Sequence, residues 1–323
     1  MKRIKRVLGL ALATVMCMSL FSGCSGSSGS NDTADSTSGT ETSEKVLNIA
    51  TIGETTTLSP LYMIADNRPT QKLLYEGLVK YVDGEIQPVL AEDWELSEDG
   101  TQLTFYLRQG VTFHDGEPFN AEAAIANIES WHINPSFASL PGVVNYTNIE
   151  AVDEYTIRLT YDTPYFAYIN DFCWPDVCTM ISPNLITQGD FQTVNGYAGT
   201  GPYIYDEYVA GQYTTFVRNE NYWGEQPYYD KIVAKYIPDN ASRVQALQTG
   251  EIDLIYGSAE LSYEDYNQAI AIEGIEGEFA PSGSTVRNII LNFNGNLSDL
   301  SVRQALAYAI DKEAISEGLT YGY

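Results

Sequence analysis

The sequence predicts a mixed α/β fold, and two observations lead to that prediction. From Lys45 onward, segments in which apolar and polar residues alternate are interleaved with segments in which apolar residues recur at helical spacing. Several of the strand-like segments look like hairpins, which are antiparallel by construction. The sheets are therefore expected to combine parallel and antiparallel pairs.

The first predicted strands and helix follow from the alternation of apolar and polar residues and from the position of a proline. Val46 to Thr51 predicts a strand, and Pro69 to Tyr81 predicts a helix with proline at its start. Alternation predicts two more strands, one through Leu103, Phe105 and Leu107, the other from Tyr155 to Tyr161.

Three later helices are predicted from caps and apolar faces. Asn120 is a candidate N-cap, followed by an apolar face made of Ala121, Ala124, Ile125 and Ile128. Asn240 is a second candidate, with Val244 and Leu247 facing inward and Gly250 just past the end. A further face consists of Val302, Ala305, Leu306, Ala309 and Ile310, and Asp311 is placed to cap the helix that follows.

The composition fits a binding protein at least as well as an enzyme. The chain has 323 residues, with 17 Lys and Arg against 43 Asp and Glu, a net charge of −26. This acid excess argues against nucleic acid as a partner, since phosphate binding needs clustered cations. The 44% hydrophobic content excludes a largely disordered chain. With 24 tyrosines and 2 histidines, a histidine-rich metal site is disfavoured, and no cofactor is expected.

The amino terminus predicts export and lipidation. Basic residues at positions 2, 3, 5 and 6 precede a mostly apolar run, Val7 to Leu20, that is short for a transmembrane helix. Small residues just before Cys24 resemble a bacterial lipobox, with Phe21 where leucine is usual. Cleavage would remove residues 1–23, and a diacylglycerol on Cys24 would hold the protein at the outer face of the cytoplasmic membrane. The alternative is an ordinary secretory signal with an incidental cysteine.

Residues 24–44 predict a lipid-anchored flexible tether. Every residue from Ser25 to Glu44 is Ser, Gly, Thr, Asn, Asp, Glu or Ala, so no core can form there. A flexible coil of that length has an end-to-end distance of about 25 Å. Contact with the membrane is therefore expected through the lipid anchor alone.

Motifs typical of catalysis are absent from the sequence. It has no His-Glu-x-x-His, phosphate loop, Gly-x-Ser-x-Gly or EF-hand loop. His114 and His132 are interpreted as structural or exposed rather than catalytic. The chain is therefore not expected to be an enzyme.

Two cysteines lie close together in the chain, Cys173 and Cys178. An oxidising compartment makes a small-loop disulfide one alternative. Two free, partly buried thiols are the other, because the geometry of the two Cα atoms decides between them. The stretch supplies too few ligands for a metal site.

Four stretches, in order along the chain, carry a family resemblance. They are Leu107 to Glu122, Gly199-Thr-Gly-Pro-Tyr203 followed by Val217 to Trp223, Leu247 to Leu254, and Ser301 to Lys312. Together they resemble the extracytoplasmic solute-binding proteins, family 5, of ATP-binding-cassette (ABC) importers, which take peptides and nickel. Phe216 to Gly224 and Gly116 to Ala124 are most similar to the nickel-binding branch.

The resemblance implies a two-lobe fold of the type II periplasmic binding proteins, whose lobes close over a ligand. Lobe one is expected over residues 45–280, with an inserted subdomain over about 82–186, and residues 281–323 are expected to begin lobe two. Family members run far beyond Tyr323. The second lobe is therefore expected to be incomplete, and the chain to be a fragment or a truncated reading frame.

Candidate ligand-binding residues also follow from the resemblance. In relatives the loop from Thr57 to Arg68 lines the cleft, which makes Tyr62, Met63 and Arg68 candidates. The nickel-binding relative holds a chelator carboxylate with an arginine at the position that matches Asp176, so a ligand with a cationic or metal-bearing end is expected here. The alternatives are a solvated Arg68 and an Asp176 that caps a turn.

The function that the resemblance implies is that of a substrate-binding lipoprotein. It would capture a peptide or nickel chelate and deliver it to the permease and ATPase subunits of an ABC importer. Peptide-binding relatives hold the peptide's amine with an aspartate in lobe two, beyond Tyr323, so the choice between these ligands stays open. A ligand sensor on the same scaffold is the alternative, and a secreted hydrolase is a further one.

Overall fold

A computed structural model describes residues 44–62, 68–174, 177–186, 196–256, 261–278 and 290–321. The strands are β1 (Val46–Thr51), β2 (Val79–Val82), β3 (Glu85–Pro88), β4 (Ala91–Leu96), β5 (Gln102–Leu107), β6 (Tyr146–Asp153), β7 (Thr156–Tyr161), β8 (Tyr203–Val209), β9 (Tyr213–Arg218), β10 (Lys231–Tyr236) and β11 (Leu254–Ile255). The helices are α1 (Arg68–Leu74), α2 (Ala121–His132), α3 (Pro141–Val144), α4 (Tyr168–Phe172), α5 (Asn240–Thr249), α6 (Tyr263–Ile270), α7 (Leu300–Ala309) and α8 (Lys312–Thr320).

The main sheet is mixed, as the sequence predicts. Its strand order is β11-β1-β10-β9-β8. β1 pairs in parallel with β10 and β11, whereas β8, β9 and β10 form antiparallel pairs. Apolar side chains on one side of this sheet form a core that includes Ile49, Leu74, Phe216 and Ile232. The parallel strands β1 and β10 therefore share their carboxyl ends, which is where the candidate site lies.

A second sheet, with the order β4-β5-β7-β6, is antiparallel throughout. Its core contains the buried rings of Phe105, Trp131, Phe137 and Phe172. The Trp131 and Phe137 rings stack with centroids 5.8 Å apart, and this contact packs α2 against the turn of 3-10 helix that follows it. This sheet falls within the range predicted for the inserted subdomain, and the domain boundaries themselves stay a prediction.

Helix ends follow their capping residues. The Asn120 side chain accepts a hydrogen bond of 3.0 Å from the Ala123 N–H, which confirms the predicted cap of α2. Asp311 caps α8, and Gly250 ends α5 in the left-handed region with φ 73°. The predicted cap at Asn240 is wrong by one residue, because Asp239 accepts the hydrogen bond from Ser242 N at 2.8 Å.

The helix predicted over Pro69 to Tyr81 is shorter in the structure. Helix α1 ends at Leu74, and β2 begins at Val79. A Cβ on Gly77 would lie 2.7 Å from the Cys178 carbonyl oxygen, and Gly77 forms an antiparallel bridge with Thr179. Long-range pairing therefore draws this segment out of the helix, and the β-branched residues after it favour a strand.

Several predicted features lie outside the described residues. These are the leader, residues 24–43 of the tether with Cys24, and residues 281–289 of the predicted crossing into lobe two. The helix predicted from Val302 to Ile310 is present as α7, and none of its residues is buried against other described parts of the chain. No helix within the described ranges has the length and apolar character needed to cross a bilayer.

Candidate functional site

The candidate site is the loop of residues 52–62, which leaves the carboxyl end of β1. Thr51, the last residue of β1, pairs with Tyr236 at the end of β10, so the loop rises from the edge where the parallel strands finish. In open α/β sheets, ligands bind beyond the carboxyl ends of the strands, where connections leave in different directions. We call this segment the β1 loop.

The first anchor of the β1 loop is Glu54. Its Oε1 accepts hydrogen bonds from the Tyr208 hydroxyl and from the Gly211 N–H, both at 2.6 Å. Tyr208 lies near the end of β8, and Gly211 lies in the turn between β8 and β9. These bonds favour the ionised carboxylate and hold the pKa of Glu54 below its usual value.

The second anchor holds the middle of the β1 loop. The buried Gln71 side chain in α1 donates a hydrogen bond of 2.8 Å to the Ser59 carbonyl. Leu58, Ser59 and Leu61 are buried, so this half of the loop packs as part of the core. The loop backbone after Leu58 is therefore fixed by packing as well as by polar contacts.

The third anchor joins the loop to the second sheet's core. Asn134, which is buried after α2, donates from Nδ2 to the Leu61 carbonyl at 2.9 Å. Its Oδ1 accepts from Ser136 N at 3.0 Å, so both ends of the amide are used. Leu61 also packs among the residues of that core. Tyr62 follows this anchor and is half-buried.

A shallow depression of about 220 Å³ lies beside the β1 loop and is open to solvent. Hydroxyl-bearing side chains dominate its lining: Thr55, Thr56, Tyr197, Tyr205, Tyr208 and Thr214, with Leu58. Sites that enclose a small molecule usually have a larger volume. This depression therefore offers hydrogen-bonding groups along one wall of the candidate site, and it does not surround a ligand by itself.

A second polar centre is built on Glu76, in the segment between α1 and β2. Its Oε1 accepts from the Tyr222 hydroxyl at 2.7 Å, and its Oε2 accepts from Trp223 Nε1 at 2.7 Å and Thr200 Oγ1 at 2.9 Å. Burial raises the pKa of Glu76, while these donors oppose that shift. The two parts of the second motif, residues 199–203 and 217–223, therefore meet at one carboxylate.

His114 joins another of the four motifs, Leu107 to Glu122, to residues 199–201. Gly199 N–H donates to His114 Nδ1 at 3.3 Å, so Nε2 carries the ring proton and donates to the Gly201 carbonyl at 2.9 Å. Burial lowers the pKa of His114, which favours this neutral form. A Cβ on Gly199 would lie 2.0 Å from the Leu74 carbonyl oxygen, so only glycine fits. These motifs hold the scaffold together, and His114 has a structural role.

Comparison with known proteins identifies the family. The model of the bacterial extracellular solute-binding proteins, family 5 Middle, matches residues 85–323. The chain belongs to this family. It is also 34% identical over 274 residues to the nickel-binding periplasmic protein of Escherichia coli (strain K12), covering 82% of this chain and 51% of that protein. The resemblance predicted from the four motifs is thereby confirmed.

Other family 5 proteins are similar over comparable lengths. The glutathione-binding protein GsiB of Pectobacterium atrosepticum is 32% identical over 289 residues, covering 85% of this chain and 54% of that protein. The crystal structure of NikA from Brucella suis in complex with Fe(III)-EDTA superposes with a TM-score of 0.78 at 33% identity, covering 86% of this chain and 57% of that chain. The predicted α/β fold of the type II periplasmic binding proteins is confirmed, as is the likeness to the nickel-binding branch. The chain spans about half the length of the curated relatives it matches.

Within this family 5 fold, one of the four predicted ligand-binding side chains can be located. Tyr62 lies at the end of the β1 loop, where its N–H donates to the Ser59 carbonyl at 3.3 Å. Arg68 is the first residue of α1, and its side chain lies outside the described residues. Met63 and Asp176 lie outside them entirely. Their roles stay predictions.

Cys173 and Cys178 are free and buried in the structure. Their Sγ atoms donate to the carbonyls of Ile169 and Asp171, each at 3.4 Å. Burial and the nearby Asp171 carboxylate raise the pKa of Cys173 to about 11, and burial raises that of Cys178 well above its usual value. In the structure both cysteines are therefore free thiols, and the candidate disulfide is not formed.

Over the described ranges, no cluster of three or more His, Cys, Asp or Glu is arranged to hold a metal.

Sequence reasoning missed Glu54, Glu76 and Asn134. The first two are acidic residues in a chain with 43 of them, so the composition hides them. Asn134 precedes Pro135 and carried a local signal, since Asn-Pro favours the start of a turn. Its bond to Leu61, 73 residues earlier, had no sequence signal.

Proposed function

We propose that this family 5 chain is the solute-binding lipoprotein of an ABC importer, which captures a peptide or metal chelate outside the cytoplasm. The observation that supports this best is the β1 loop, held at Glu54, Ser59 and Leu61 by three separate parts of the fold. A binding loop fixed before the ligand arrives loses little entropy when it binds. Because the protein carries no nucleotide-binding motif, ATP hydrolysis by its partner subunits would drive transport.

The proposed ligand carries a cationic or metal-bearing end. Relatives include proteins named for nickel and for glutathione, a peptide, so both ligand classes stay within the proposal. The net charge of −26 favours the approach of cationic solutes. Tyr62, Met63, Arg68 and Asp176 are the proposed contacts, and Asp176 is the acidic one among them.

Calorimetric titration of the full-length protein tests this proposal. Nickel–histidine and a set of dipeptides serve as probes for wild type, Asp176→Asn and Asp176→Arg. We expect wild type to bind one probe class in a saturable way, and Asp176→Arg to bind it at least tenfold more weakly, because it would reverse the charge of a proposed contact to the cationic end. Equal affinity of all three proteins for every probe would remove Asp176 from the site.

Lipidation of Cys24 is the proposed means of membrane attachment. The basic start, the apolar run and the small residues before Cys24 support it, as does the polar stretch from Ser25 to Glu44. Lys45 precedes β1, and its N–H donates to the Asp230 carboxylate at 2.7 Å. The tether would therefore join the fold at the amino end of β1, at the opposite end of that strand from the β1 loop.

A further inference from the structure

Glu54 joins the first part of the β1 loop to the hairpin of β8 and β9. Its carboxylate reaches across to Tyr208 and Gly211, more than 150 residues away in the chain. By contrast, Leu58, Ser59 and Leu61 are already fixed by burial. Between these two regions lie Thr55 and the exposed Thr56, on the rim of the depression beside β8.

The partner of Glu54 is a rigid element. The turn between β8 and β9 is closed by Gln212 N–H bonding to the Val209 carbonyl at 3.0 Å, and Tyr236 N–H donates to the Gln212 carbonyl at 2.8 Å. Gly211 adopts φ 69°, so its N–H points to the loop from a left-handed turn position that favours glycine. The hairpin therefore offers two donors at a fixed place, and Glu54 is the residue of the loop that binds them.

We propose that Glu54 is a positioning residue of the solute site: by binding Tyr208 and Gly211 it holds residues 54–57 of the β1 loop in the conformation that receives the solute. This inference rests on the proposed function, since it assumes that the β1 loop contacts the solute. Without the Glu54 bonds, this half of the loop samples other conformations, and the apparent affinity falls in proportion to the population that remains competent. Glu54 acts through the loop and need not touch the solute.

Three variants of the full-length protein test whether the Glu54 side chain, as a hydrogen-bond acceptor, holds the β1 loop. Glu54→Ala removes the acceptor. Glu54→Gln keeps an oxygen at the same place, and a neutral acceptor still serves both donors, so it should restore most of the effect. Asp206→Ala is the matched control, because Asp206 is a carboxylate on the same hairpin that binds Thr215 and Lys231 and has its pKa lowered by them.

The first measurement is hydrogen exchange without any solute. The Thr56 N–H, which bonds to the Glu54 carbonyl at 2.8 Å, and the Ser59 N–H, which bonds to Thr57 Oγ1 at 3.1 Å, report on the loop. We expect Glu54→Ala to exchange these amides about tenfold faster than wild type, with Ile49 and Ala50 in β1 unchanged. Glu54→Gln and Asp206→Ala should match wild type. Equal exchange in Glu54→Ala and Asp206→Ala would overturn the proposal.

The second measurement is the affinity of the same proteins for nickel–histidine and for a dipeptide mixture. We expect Glu54→Ala to bind the active probe about tenfold more weakly, mainly through a slower association rate. Faster exchange with unchanged affinity would show that this half of the loop is not part of the site. If wild type binds neither probe, the proposed function fails on its own, while the exchange data still decide whether Glu54 fixes the loop.

Discussion

Trp223 Nε1 donates a hydrogen bond of 2.7 Å to Glu76 Oε2, across 147 residues of chain. The same carboxylate also binds Tyr222 and Thr200, and the Arg108 guanidinium carbon lies over the Trp223 ring, 4.4 Å from its centroid. A tryptophan N–H can only donate, so it needs an acceptor when it is partly buried. Glu76 supplies that acceptor and thereby joins the segment after α1 to the segment after β9.

Glu76→Ala is expected to destabilise the protein by about 3 kcal/mol, because it leaves Trp223 Nε1 without its acceptor and creates a cavity. Glu76→Gln should be tolerated. Its oxygen can replace Oε2, and its amide can donate to the Tyr222 hydroxyl oxygen, which is able to accept. Urea unfolding of both variants measures the difference. Equal loss of stability in the two would contradict this account of the network.

Stability should also depend on pH through Glu76. Burial raises its pKa in the folded state above the value in the unfolded chain, so its contribution is full below the unfolded pKa and is lost as pH rises through the folded pKa. The stability of Glu76→Gln relative to wild type should therefore increase between about pH 4 and pH 8. Unfolding curves across that range test this, and parallel pH profiles for the two proteins would refute it.

Gly199→Ala is expected to prevent folding or to cost more than about 3 kcal/mol, because the new Cβ would lie 2.0 Å from the Leu74 carbonyl oxygen. Gly318→Ala is the matched control. Gly318 lies inside α8 with no atom near its Cβ position, so alanine there should leave stability unchanged or raise it by up to about 1 kcal/mol. Thermal unfolding compares the two, and similar melting temperatures would show that residues 199–203 can move away from Leu74.

The sequence predicted those features that depend on contacts between residues close together in the chain. The α2 cap at Asn120 needed nothing beyond neighbouring residues and was confirmed, and of the predicted apolar face Ala121, Ala124 and Ile128 are buried while Ile125 is half-buried. The overlong helix after Pro69 shows the limit, because Gly77 is drawn into a bridge with Thr179, about a hundred residues later. The motifs identified the family, yet their meeting at Glu76 became visible only in three dimensions. The anchors of the β1 loop are likewise long-range contacts that no local window contains.

Cys173 and Cys178 should resist alkylation in the folded protein at neutral pH. Both thiols are buried with raised pKa values, so little reactive thiolate is present. Iodoacetamide treatment followed by mass spectrometry of the peptide that contains both cysteines measures this, with urea-unfolded protein as the control that labels fully. Fast labelling of the folded protein, or a disulfide-linked peptide before reduction, would contradict the free, buried thiols.

Cys24→Ala should release the protein from the membrane fraction of a bacterial host into the medium or the soluble fraction. The reason is that alanine has no thiol to carry the proposed diacylglycerol. Immunoblots of separated fractions compare this variant with wild type, and Cys173→Ala serves as a control that removes a different cysteine. Retention of Cys24→Ala in the membrane would exclude lipidation as the means of attachment.

The central claim is that the full-length protein captures a small solute at the β1 loop. Mass spectrometry of the protein, purified without denaturation and then unfolded to release bound molecules, tests it most directly. We predict one peptide or metal chelate in a fixed ratio to wild-type protein and a much smaller amount bound to Tyr62→Ala. A protein that releases no solute and shows no saturable binding to nickel–histidine or dipeptides would contradict the account.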